Sequence, residues 1–115
     1  MQLPNRDQAY IQPNKLTGYL LSETHPVGKA KAKFFRGVGF DEANVERLEQ
    51  GLLTLARTQA VHETVETVHG KKYVIIGLIE TPSDRTVTIL TVWIIDSGKE
   101  SPRFVTARPY AESSP

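Results

Sequence analysis

Apolar residues in the first half of the chain recur three or four positions apart, which is the spacing of one buried helical face. The longest stripe consists of Val45, Leu48, Leu52, Leu55 and Ala56. It predicts a helix over residues 42–60 that begins after Asp41, whose carboxylate can cap the first turn. Two shorter helices are expected before it, over residues 26–36 with Val27, Ala30 and Phe34 on one face and over residues 13–21 with Leu16 and Leu20 buried.

Near residue 61 the pattern changes to runs of β-branched residues of strand length. These runs predict four strands, over residues 63–68, 73–80, 86–95 and 103–108, with a link at residues 69–72 that suits a hairpin. Helices followed by strands are typical of an α+β fold, in which N-terminal helices pack on a four-stranded antiparallel sheet.

The second and third strands are expected to be central, because apolar residues occupy successive positions in both of them. Such strands need cover on both faces, and three helices in a short chain do not readily supply it. We therefore expect either a homodimer or a strongly curled sheet.

Length and composition fit one ordinary domain at residues 1–110, followed by a flexible C-terminal tail at residues 111–115. The chain has 115 residues and a net charge of +1, so whole-chain charge favours neither nucleic acid nor a membrane. No apolar run approaches a membrane span, and the N-terminus lacks a signal-peptide pattern, which predicts a cytoplasmic location. There is no cysteine, so thiolate metal sites are excluded, and no metal or other cofactor is expected.

The densest chemical signal is residues 24–36, which hold four lysine and arginine side chains and His25. If a helix begins near Pro26, its free N–H groups lie beside Gly28 and Lys29, where a phosphate or carboxylate could bind. The alternative is that the lysines form a solvated helix face. His25 suits proton transfer near neutral pH, although a histidine at a helix start can also serve only as a hydrogen-bond partner.

The last strand carries a second cationic group. We expect Arg103, Thr106 and Arg108 to lie on one face with Phe104, where two guanidinium groups around one hydroxyl could hold a phosphate. The alternative is an edge strand whose outward charges prevent edge-to-edge pairing. Trp93 on the third strand is expected in the core rather than on a base-stacking surface.

Two stretches resemble a known family. Residues 25–35 fit the pattern HPxGxxKAxxF, and residues 92–95 with 102–109 fit its C-terminal motif. The pattern resembles a bacterial family of domains of unknown function, whose members look like distant relatives of the barnase and EndoU type of metal-independent ribonuclease toxins. Thr106 and Pro109 match the end of their last strand, whereas Arg108 replaces an aromatic residue that could stack on a base.

The resemblance implies catalytic roles for four residues. His25 would act as general base or acid, Lys31 and Arg103 would stabilise the transition-state charge, and Thr106 would orient an RNA phosphate. A second hypothesis is a non-enzymatic interaction module, homodimeric through its apolar sheet face, that binds a partner protein or a small anion. Apolar residues on both faces of the central strands favour this second hypothesis, as does the lack of a second well-placed histidine.

Overall fold

The computed structural model describes residues 1–111, and residues 112–115 of the predicted tail lie outside it. The N-terminal segment contains two 3₁₀ turns, Arg6–Gln8 and Pro13–Lys15, and one π-helical turn, Leu16–Leu20. Helix α1 spans Lys29–Gly37 and helix α2 spans Val45–Thr58. The strands follow as β1 (Glu63–Thr67), β2 (Gly70–Glu80), β3 (Thr86–Asp96) and β4 (Arg103–Pro109).

The strands form one antiparallel sheet in the order β1-β2-β3-β4, so β2 and β3 are central. The predicted α+β fold, with helices before a four-stranded antiparallel sheet, is confirmed. The first hairpin is tighter than predicted: Thr67 pairs with Gly70, so the link is residues 68–69 rather than 69–72. Gly70 has a φ of 152°, and a Cβ there would lie 2.3 Å from the carbonyl oxygen of Ile95, so only glycine fits.

Both α-helices begin three residues later than predicted. Before each helix, a side chain accepts backbone N–H groups and stabilises a non-helical turn: His25 before α1, and Asp41 with Asn44 before α2. Before α2, the Asp41 carboxylate accepts the N–H of Ala43 at 2.8 Å, and Asn44 Oδ1 accepts the N–H of Asp41 at 2.9 Å. Helix α1 buries Ala32 and Phe35, and Phe34 is partly buried against the core; the expected burial of Val27 and Ala30 is wrong, because both are exposed. The predicted third helix is instead the 3₁₀ turn and the π-turn, although Leu16 and Leu20 are buried as expected.

The core lies between the helices and one face of the sheet. Trp93 is fully buried there and meets Phe104 edge-to-face, with ring centroids 5.3 Å apart. Its indole Nε1 donates to Thr91 Oγ1, and the Thr91 hydroxyl donates to the carbonyl of Ile75. Trp93 is therefore a core residue, as predicted.

The opposite face of the sheet carries no helix within the described residues. Side chains that alternate with the core residues of β2 and β3 point there, because directly paired residues in antiparallel strands share a face. They include Val74, Ile76, Leu78, Leu90, Val92 and Ile94. Val74, Leu90 and Ile94 are nonetheless buried, whereas Leu78 is 63% exposed. We call this surface the open face.

Candidate functional site at the edge of the last strand

Tyr19 lies at the centre of the candidate site. The π-turn that carries it is anchored by buried Leu16 and Leu20, which leaves Tyr19 half-buried at the edge of β4. Its hydroxyl forms a 2.9 Å hydrogen bond with Thr106 Oγ1. The π-turn therefore connects the N-terminal segment to the last strand, 87 residues away in sequence.

His25 packs edge-on against the Tyr19 ring, with ring centroids 5.1 Å apart. Its Nδ1 accepts the backbone N–H groups of Val27 and Gly28, each at 3.0 Å, and its carbonyl accepts the N–H of Lys29. The N–H groups that the sequence suggested for anion binding are therefore already bonded to His25. Within this turn, the backbone N–H groups of residues 27–29 are not free to bind an anion.

Gly28 makes the close approach of this turn to Tyr19 possible. It is buried, and a Cβ at this position would lie 2.3 Å from the carbonyl oxygen of Tyr19. The structure thus gives Gly28 a packing role instead of the predicted role in binding an anion through its N–H.

Two lysines flank the Tyr19 ring. Lys15 Nζ lies 4.8 Å from the ring centroid and also donates to the carbonyl of Val105 at 3.1 Å, while Lys31 Nζ lies 5.8 Å from the centroid. Among residues 1–111, neither lysine forms an ion pair. Tyr19, His25, Lys15, Lys31 and Thr106 are called the Tyr19 cluster below; it concentrates positive charge beside hydroxyl and imidazole groups.

Lys29 lies apart from this cluster. With Glu23, Lys33 and Arg36 it lines a shallow depression of about 400 Å³ elsewhere on α1. Arg36 there pairs with Glu42, whose pKa is lowered mainly by its hydrogen bond from the guanidinium. The alternation of lysines along α1 therefore separates Lys31, which faces Tyr19, from Lys29 and Lys33.

A β-bulge determines which residues of β4 share a face. Arg103 and Thr106 are three positions apart, so regular alternation would place them on opposite faces. The pairing skips Val105, however, and sets Arg103 opposite Ile94, Thr106 opposite Val92 and Arg108 opposite Leu90. Arg103, Thr106 and Arg108 therefore lie on the open face as expected, whereas Phe104 points into the core, contrary to the prediction.

Arg103 is held by an acidic partner. Its Nε and a terminal nitrogen donate to the two carboxylate oxygens of Asp96 at 3.1 and 3.0 Å. This hydrogen bonding lowers the pKa of Asp96 and raises the pKa of Arg103. Among residues 1–111, all hydrogen bonds of the Arg103 side chain go to Asp96, so the structure does not bring its charge into the Tyr19 cluster.

The remaining candidates give no site. His62 and His69 are both exposed, and residues 1–111 contain no group of three side chains arranged to hold a metal ion. No helix in that range is both long and apolar enough to cross a membrane. Arg108 is exposed near the end of β4, and no hydrogen bond of its side chain is present among the same residues.

Sequence reasoning missed Tyr19 and Lys15. A usable signal existed, because Lys15 and Tyr19 directly precede the buried Leu16 and Leu20, respectively, within one short segment. An α-helix over this segment would have given these side chains a different arrangement from the one that the π-turn produces.

Comparison with known proteins agrees with this architecture. A family profile described as "Domain of unknown function (DUF6883)" matches residues 2–111, so the chain belongs to that family. The fold is similar to a chain of the "Contact-dependent growth inhibition toxin - immunity protein complex from Klebsiella pneumoniae 342". The TM-score is 0.66 at 13% identity, with 93% of this chain and 97% of that chain covered. No curated protein gives a significant sequence match.

Proposed function

We propose that this DUF6883 member is a small, toxin-related, metal-independent ribonuclease domain that binds an RNA phosphate at the Tyr19 cluster. One observation carries the proposal. Tyr19 contacts His25, Lys31 and Thr106, three residues from separate parts of the sequence, beside the edge of β4. The structural similarity to a chain of a growth-inhibition toxin–immunity complex supports the toxin-related part.

The cluster has the groups that a phosphodiester requires. Two ammonium groups can offset the charge of the phosphate, and whichever of the Thr106 and Tyr19 hydroxyls accepts their shared hydrogen bond can donate its own O–H to a phosphate oxygen. Metal-independent cleavage uses the 2′-hydroxyl of RNA itself: its oxygen bonds to phosphorus, the bond from phosphorus to the 5′-oxygen breaks, and a proton passes from the first oxygen to the second. In this proposal the protein binds the phosphate and stabilises its added charge.

The two lysines supply the stabilising charge in this proposal. Lys31 and Lys15 flank the Tyr19 ring, whereas Arg103 is engaged by Asp96. We therefore assign charge stabilisation to Lys31 and Lys15 and assign to Arg103 the ordering of the start of β4. Thr106 keeps the predicted role of orienting the phosphate.

The test measures cleavage of total RNA, including tRNA, by the full chain in the presence of a metal chelator. Lys31→Gln should lower the cleavage rate about 100-fold, because a cation next to the reacting phosphate is lost. Lys33→Gln is the matched control, since it removes the same charge from the same helix on the side away from Tyr19; its rate should stay within about threefold, the scale of a screened surface charge. No cleavage by the wild-type chain, or equal losses in both variants, would refute the proposal.

A non-enzymatic interaction module is the second candidate, favoured by the open face. Leu78 is 63% exposed next to the partly exposed Ile76, and Val65 is 44% exposed on β1, toward the other end of the same face. Exposed apolar patches of this kind mark contact surfaces in many proteins. In this reading two copies of the chain pair through their open faces.

Solution mass tests the second candidate. Wild-type chain at micromolar concentration should have twice the monomer mass, and Leu78→Glu should return it to the monomer mass. Val68→Glu is the control, because Val68 is 90% exposed but lies in the β1–β2 turn. A monomeric wild-type chain would remove the homodimer.

A further inference from the structure

His25 is held in one orientation by backbone donors. Both Val27 and Gly28 donate their N–H groups to Nδ1 at 3.0 Å, and Ser22 Oγ accepts the N–H of His25 at 3.1 Å. A nitrogen that accepts two N–H groups has its lone pair directed at them and carries no proton. The neutral imidazole therefore carries its proton on Nε2, since the bonding of one ring nitrogen determines the state of the other.

We infer that His25 acts as a neutral hydrogen-bond donor, through Nε2–H, to a non-bridging oxygen of the phosphate. This inference rests on the proposed function, and it differs from the acid–base role that the family resemblance implies. The contact transfers no proton: Nε2 keeps its hydrogen, and the phosphate oxygen gains one hydrogen bond.

The geometry disfavours the general-base alternative. A base needs an unprotonated nitrogen directed at the substrate, but Nε2 already holds the proton. Moving that proton to Nδ1 would set it against the N–H groups of Val27 and Gly28, and both hydrogen bonds would be lost. A positively charged ring would also carry a proton on Nδ1 and lose the same two hydrogen bonds.

The tautomer can be measured without any activity. In a long-range ¹H–¹⁵N correlation spectrum of the full ¹⁵N-labelled chain at pH 7.5, His25 should show a protonated Nε2 and an unprotonated Nδ1. Exposed His62 and His69 provide the internal comparison, and His25→Asn identifies the signal by removing it. A signal of the opposite tautomer, or of the charged ring at this pH, would overturn the inference.

Two substitutions then separate the Nε2 donor from the cap, meaning the acceptance of the Val27 and Gly28 N–H groups by Nδ1. Asn at position 25 can place its carbonyl oxygen near the position of Nδ1, which keeps the cap and removes the donor. Gln at position 25 can place its amide N–H₂ near Nε2, which keeps a neutral donor and removes the cap. Inorganic phosphate is the probe. His25→Asn should bind it about tenfold more weakly than wild type, whereas His25→Gln should bind it almost as tightly as wild type.

The outcomes also separate this inference from the proposed function. If wild type and His25→Asn bind phosphate equally, the donor role is wrong even when RNA is cleaved. If both substitutions weaken phosphate binding equally, a neutral donor at Nε2 is likewise excluded. If phosphate binding follows the expected pattern but wild-type chain leaves RNA intact, the donor role stands as an anion contact and the ribonuclease proposal fails.

Discussion

The two edges of the sheet differ in what covers them. At β4, the N-terminal segment lies alongside: Tyr10 bridges Arg103 in parallel, with its N–H donating to the carbonyl of Pro102 and its carbonyl accepting the N–H of Phe104. Lys15 then bonds the carbonyl of Val105. At β1, every residue is at least partly exposed, and within residues 1–111 the strand pairs only with β2.

This difference shows how an edge strand can come to lie beside a candidate binding site. An edge strand has unpaired backbone groups, which usually have to be protected from other chains. At β4 the protection comes from a segment that is distant in sequence, through the backbone of Tyr10 and the side chain of Lys15, and the same segment carries Tyr19. At β1 the residues ETVET alternate charged and hydroxyl side chains around one valine, so solvent contacts the strand directly.

The largest expected difference between the edges is in core packing. Phe104 on β4 is fully buried against Trp93, whereas Val65 on β1 is 44% exposed. Phe104→Ala should lower the free energy of unfolding by about 3–5 kcal/mol, and Val65→Ala should change it by less than about 0.5 kcal/mol. Urea unfolding checks both, with Phe104→Leu as a milder variant if the alanine variant does not fold. Equal losses at the two positions would remove the contrast.

The next largest effect tests the turn that packs on Tyr19. Gly28→Ala would place a methyl group against the Tyr19 carbonyl and should destabilise by about 1–3 kcal/mol. Gly37→Ala is the matched control at the other end of α1, where a Cβ would meet no atom within 4 Å. It should be neutral or stabilise by up to about 1 kcal/mol. If thermal unfolding shows no difference between the two, the close approach at Gly28 does not hold the β4 edge together.

The contrast between edges also explains what could be predicted from the sequence. The four strands were predictable because β-branched runs have strand length and because the turns between them contain turn-forming residues such as Asp84 and Gly98. The N-terminal segment was not predictable in the same way, since Leu16 and Leu20, four positions apart after Pro13, fit both an α-helix and the observed turns. Its partner is β4, and no local pattern shows such a long-range contact.

The candidate site was predictable only in part for the same reason. His25, Lys31 and Thr106 were identified from motif residues, but their connection runs through Tyr19, which has no motif of its own in this sequence. The bulge at Val105 is equally invisible, and it decides that Arg103 and Thr106 share a face. Charge counting found Arg103 but could not show that Asp96 holds it.

A smaller effect is expected from the hydrogen bond between Tyr19 and Thr106. In a double-mutant cycle of Tyr19→Phe and Thr106→Val, the coupling energy should be about 1 kcal/mol, because each substitution removes one partner of the same bond. Thr64→Val on β1 is the comparison, since its exposed side chain should change stability by less than about 0.5 kcal/mol. Additive single effects, measured by urea unfolding, would show that the π-turn is not tied to β4 through this pair.

The smallest effect is the pH dependence of the corner where β3 passes into β4. Arg103 lowers the pKa of Asp96 in the folded state below the value of about 3.9 expected when unfolded. The pair therefore stabilises the fold above about pH 4, and this contribution is lost as the pH falls through the lowered pKa. Arg103→Gln should lower the free energy of unfolding by about 1 kcal/mol or less at pH 6, because the pair is partly exposed.

The informative quantity is the difference between wild type and Arg103→Gln, since Glu42 also has a lowered pKa and contributes to the pH dependence of both chains. Urea unfolding at pH 6 and at pH 3 should show that difference shrinking in acid, because the protonated Asp96 carboxyl no longer attracts the guanidinium. A difference that stays constant over this range would mean that Arg103 stabilises the corner through packing of its side chain rather than through the ion pair.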